Sequence, residues 1–127
     1  MTSYIDIINV VREGLTEDGA YPAEETLDAL RENAPRVGGS ELIRILEVYA
    51  EASTYATMES CGTEDELWYA AQDAANFNPG YRFTTGGWSG AEDLVDALMP
   101  SLGWLLLWQL SVRGGAFYFA CPEGPPC

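Results

Sequence analysis

The sequence predicts an α+β fold, in which an acidic helical N-terminal part of about four helices packs with a small antiparallel sheet or hairpin from the C-terminal part. Three observations carry this. Apolar residues recur at helical spacing in the first half, beginning with Tyr4, Ile8, Val11 and Leu15. After the turn signal Asn78-Pro79-Gly80, Tyr81 to Thr85 alternate as a strand does. The charge divides at nearly the same place: residues 1–73 carry sixteen acids and four Arg, residues 74–127 four acids and two Arg.

The first helix is expected over residues 3–14, capped by Ser3, with Thr16-Glu17-Asp18-Gly19 as a turn. Pro22 suits the first position of a second helix that Pro35 ends near Asn33. Its apolar stripe is Ala23, Leu27, Leu30 and Ala34, and Glu24, Glu25, Asp28 and Glu32 fill the other face. Gly38-Gly39-Ser40 forms a joint with Ser40 as N-cap, and the third and longest helix follows over residues 41–58. Leu42, Leu46, Tyr49, Ser53 and Ala56 line one side of it. Thr63-Glu64-Asp65-Glu66 makes a capping box for a fourth helix reaching Asn76.

Beyond Thr85, Gly86 to Gly90 read as a loop. Ser89 with Glu92 makes a second capping box, for a short helix through Met99 that Pro100 ends. Residues 104–112 suit either a buried helix or a strand turning at Arg113-Gly114-Gly115 into Ala116 to Ala120. The hairpin is preferred, because the second arm is aromatic and the double Gly supplies the positive φ of a tight turn. The expected organisation is one domain: residues 1–76 acidic and helical, 77–121 rich in aromatics and Gly, and 122–127 a tail. At 127 residues the chain is long enough to bury well over half of its unfolded surface without a metal or disulfide.

Composition narrows the chemistry. The net charge is −14, from twenty Asp and Glu against six basic residues, all Arg; His and Lys are absent. Without His the usual general base near neutral pH is missing. Without Lys there is neither Schiff-base chemistry nor the phosphate-cradling lysine of a P-loop. Gly87-Trp88-Ser89-Gly90 has the wrong glycine spacing for a nucleophile elbow, and no His could activate Ser89. The acidic pairs fall in turns and first helical turns, where they complement the helix dipole. The spacing of a calcium loop is absent. The expectation is a protein that binds and does not catalyse, with no catalytic residues, no cofactor and no metal.

Direct contact with nucleic acid is disfavoured, because that needs clustered Lys and Arg. An anionic membrane surface is disfavoured for the same reason. No signal peptide is legible at the N-terminus, and the run from Leu102 to Val112 is too short to span a bilayer, so a cytoplasmic location is expected. Cys61, Cys121 and Cys127 are expected as free thiols there, with a Cys121–Cys127 loop closure as the alternative. Of the four Trp, Trp104 and Trp108 are expected in the core. Trp88 sits in a Gly-rich loop, where an exposed aromatic would anchor an interface.

These features fit an acidic inhibitor that occupies a basic surface, monomeric or dimeric itself. The candidate partner-binding residues are Glu17, Asp18, Glu24, Glu25, Asp28, Glu32, Glu64, Asp65, Glu66 and Trp88. In size and charge, with no shared motif, the chain resembles the small acidic proteins that phages and mobile elements make against CRISPR complexes and restriction enzymes. That resemblance implies a counter-defence role against a nucleic-acid-binding protein or complex. The alternative is an immunity protein or chaperone that neutralises a cognate toxin or effector. A third reading places the contact on the aromatic loop and expects binding insensitive to salt.

Overall fold

A computed structural model describes residues 4–15, 21–53, 55–60, 80–112 and 115–122. The fold is α+β. Helix α1 (Tyr4–Glu13) and helix α2 (Glu24–Asn33) are tied where α1 ends: the Thr26 hydroxyl donates to the Gly14 carbonyl at 2.9 Å. A Cβ at Gly14 would fall 2.0 Å from that hydroxyl oxygen, so only glycine permits the approach. Pro22 makes an isolated bridge with Leu15 instead of opening α2, which begins at Glu24. A short 3-10 turn (Ala34–Arg36) follows.

Helix α3 (Gly39–Ala52) forms the middle of the helical layer and packs on α1. Its N-cap is Gly38 and not Ser40: the Glu41 carboxylate reaches back to accept from the Gly38 amide at 2.9 Å. The expected helix to Met58 stops at Ala52. The Ser53 hydroxyl accepts from the amides of Tyr55 and Ala56, at 3.2 and 3.1 Å, and so replaces the helical hydrogen-bond pattern with a turn. Thr57–Ser60 then forms strand β1.

Strand β2 (Tyr81–Thr84), helix α4 (Ser89–Leu98), helix α5 (Leu102–Leu107), strand β3 (Trp108–Val112) and strand β4 (Ala116–Phe119) complete the described residues. The sheet is antiparallel throughout in the order β1-β2-β4-β3, so it takes one strand from the N-terminal half. The two readings of residues 104–112 are both partly realised. A helix runs to Leu107 and a strand starts at Trp108, pairing with β4 as the expected hairpin. Ser89 is not a cap: Trp88 holds that position without a side-chain hydrogen bond. Ser101 caps α5 by accepting from the Trp104 amide at 3.1 Å.

The core is one cluster running from Ile7 to Phe119. Tyr49, Phe83 and Phe119 are fully buried between helices and sheet. Trp104 meets Phe119 edge-on, with ring centroids 5.0 Å apart, a favourable quadrupole geometry. Trp108 is exposed, contrary to its expected place in the core. The expectation of free thiols also fails for Cys121, which is buried and disulfide-bonded. No helix among the described residues is long and apolar enough to cross a membrane.

Candidate functional site

Helix α2 separates its two faces cleanly. At 100° per residue, Glu24, Glu25, Asp28 and Glu32 fall within an arc of about 100°, opposite Thr26, Leu27 and Leu30. All four acids are exposed and those three residues are buried. The row spans about 12 Å along the axis. That is roughly one charge every 3 to 4 Å, close to the spacing along a single nucleic-acid strand.

Arg31 is the one cation on the helix, and its Nη1 lies 3.1 Å from the Asp28 carboxylate. Both partners are solvent-exposed, so the pair contributes at most about 1 kcal/mol and leaves α2 with net charge −3. Helix stability accounts for Glu24 and Glu25, which face the positive end of the dipole. It does not account for Glu32, which lies in the last turn at the negative end. There a carboxylate is mildly unfavourable.

An aromatic cluster stands where the chain enters α2. Tyr21 meets Trp88 edge-on at 6.0 Å, and the Tyr55 ring lies 5.4 Å from Trp88 on a tilted plane. The Tyr21 hydroxyl donates to the Asp93 carboxylate of α4, which joins the segment leading into α2 to α4. This bond is the largest reason that the Tyr21 hydroxyl titrates above its ordinary value; burial and the Asp93 charge add to it. Trp88 is half-buried and packs on the core, so it is not the open anchor that its loop suggested. Tyr55 is the exposed member.

Glycine makes this packing possible. Gly86 and Gly87 take φ of 64° and 75°, and a Cβ at Gly86 would fall 2.5 Å from the Tyr55 carbonyl oxygen. Beneath the cluster Tyr49 is buried, and among the described residues neither its hydroxyl nor the Trp88 indole nitrogen has a hydrogen-bond partner. Burial pushes the Tyr49 hydroxyl above its ordinary pKa. Ser53 and the Trp88 indole act in the other direction.

A second acidic feature lies on α3. Glu47 and Glu51, one turn apart, border a groove of about 340 Å³ lined also by Ala50, Ala56, Thr57 and Met58. Of the sequence candidates, then, Glu24, Glu25, Asp28 and Glu32 share one exposed face, and Trp88 sits beyond the N-terminal end of that helix. Glu17, Asp18, Glu64, Asp65 and Glu66 lie outside the described residues, as do Trp68 and the fourth helix expected over 63–76. Tyr21 and Tyr55 escaped the sequence reading, since nothing local joins Tyr21 to Asp93, 72 positions away. Among the described residues no group of three or more His, Cys, Asp or Glu could hold a metal ion. The chain matches no known protein family, no curated protein and no solved structure.

Proposed function

We propose that this chain is a non-catalytic inhibitor that occupies the basic surface of a nucleic-acid-handling protein, in the manner of phage or mobile-element proteins directed against CRISPR or restriction systems. The observation that supports it most is the carboxylate row of α2. The row is exposed, its carboxylates are spaced about as closely as the phosphates of one nucleic-acid strand, and in Glu32 it goes beyond what helix stability asks for. Such a row steers a basic partner into encounter and competes for the Arg and Lys that would otherwise hold phosphates. Tyr21, Trp88 and Tyr55 stand at one end of the row. There they would supply apolar contact area and specificity.

This reading places the protein in the host cytoplasm. The Cys121 disulfide belongs more naturally to oxidising surroundings, so binding must survive its reduction. The test is a pull-down from host lysate with the wild-type chain and with a Glu24→Arg, Asp28→Arg, Glu32→Arg variant, followed by competition with duplex DNA. The expected result is capture of a nucleic-acid-binding protein by the wild type alone, and its release by DNA. Equal capture by the variant, or a partner indifferent to DNA, would overturn the proposal.

A further inference from the structure

The groove between α3 and β1 is built from residues other than the α2 row. Glu47, Ala50 and Glu51 stand three and four positions apart on α3 and so share one face. Ala56, Thr57 and Met58 form the other wall, and the groove holds about 340 Å³. Charge and a free strand edge meet in it.

The charge is not explained by the helix that carries it. Glu51 lies in the last turn of α3, at the negative end of the dipole, where a basic residue stabilises and α3 has none. Among the described residues no cation pairs with it. Glu47 meets Arg44 at 3.8 Å, but both side chains are solvent-exposed, so the contact stabilises little.

The edge belongs to β1, the outermost strand in the order β1-β2-β4-β3, which pairs on one side with β2. Alternate residues of such a strand direct their amide and carbonyl groups away from the sheet. No other strand among the described residues takes up that side. A free edge of this kind recognises an extended chain through its backbone, and the neighbouring groove selects the side chains.

The chemistry of the groove identifies those side chains. On one face of an extended peptide, alternate residues stand about 7 Å apart. Glu47 and Glu51, one turn apart, stand about 6 Å apart along the helix axis. Ala50, Ala56 and Met58 offer apolar surface to the aliphatic stems of Arg or Lys, whose charged heads then reach the two carboxylates. A nucleic-acid strand or an acidic peptide is repelled by the same pair.

We propose that the groove between α3 and β1 binds an extended protein segment with basic side chains at alternate positions, added as a further strand beside β1. The proposal does not rest on the α2 carboxylates. The two surfaces are separate sets of residues, so each reading can fail without the other.

The probe is a capped heptapeptide alternating arginine and valine. It is titrated into the isotope-labelled full chain and followed by amide nuclear magnetic resonance, at about 0.15 M salt to screen distant charges. The expected result is shifts concentrated at Thr57–Ser60 and residues 47–51, with slowed hydrogen exchange of the outward β1 amides. Affinity is expected to fall roughly ten-fold or more in Glu47→Gln/Glu51→Gln, which removes two charge-assisted contacts. It is expected to hold in Glu92→Gln/Asp96→Gln, which removes the same charge from exposed positions of α4. All four side chains reach the surface, so both variants are expected to keep the wild-type spectrum before peptide is added. A peptide with serine in place of arginine is expected not to bind. Absence of binding, shifts on α2 in place of β1, equal losses in the two variants, or equal binding of the serine peptide would each overturn the proposal.

Discussion

Helices α2 and α5 both lie on the surface, and they present opposite chemistry. The outer face of α2 carries four carboxylates and one Arg; the outer face of α5 carries three leucines in a stretch without an acid. Both inner faces are conventional, Leu27 and Leu30 in one and Trp104 and Leu107 in the other. The difference teaches that exposed carboxylates are placed unevenly over the described residues. Helix α2 gathers four of them on one face, and α5 carries none.

The comparison is broken most severely from within. Leu30→Ala empties a fully buried position under the acidic row and is expected to cost about 2–5 kcal/mol, read by urea denaturation. The same truncation at exposed Leu105 should stay within about 0.5 kcal/mol. Similar costs at the two positions would mean that α5 is not displayed as described. Next in size, reversing Glu24, Asp28 and Glu32 to Arg should lower partner affinity about 100-fold by titration calorimetry, because three attractions become repulsions.

Much of this contrast was legible in the residues, but unevenly. The acidic row of α2 follows from spacing alone, since Glu24, Asp28 and Glu32 recur every four positions between Pro22 and Pro35. The patch on α5 does not. From Leu102 to Leu110 nearly every residue is apolar, so periodicity cannot say which side faces water, and Trp108 was expected inside. Only the packing of Gly103 against Gly38 reveals the orientation. Strand β1 was hidden because residues 53–58 continue the helical pattern of α3, and the turn made by the Ser53 hydroxyl overrides it. The Tyr21–Asp93 bond is a product of tertiary structure, with no local trace.

A smaller effect sharpens the account of the aromatic cluster. The hydroxyls of Tyr21 and Tyr49 both titrate above the ordinary tyrosine value of about 10, so the folded chain keeps their protons longer than the unfolded one. Their contribution to stability is whole below about pH 10 and is lost as pH rises through the folded values. Ultraviolet titration should show these tyrosines ionising late. Tyr21→Phe should bring the alkaline transition closer to that of the unfolded chain and lower the melting temperature by only a few degrees. An unchanged alkaline limb would remove Tyr21 from the account.

The central claim is that a basic partner meets the carboxylates of α2, and the salt dependence of its affinity tests this most directly. For the captured partner, the logarithm of the association constant is measured against the logarithm of salt concentration, for the wild type and the triple Arg variant. The account predicts a steep negative slope for the wild type and a much shallower one for the variant. Two equal slopes, or a wild-type affinity indifferent to salt, would contradict it.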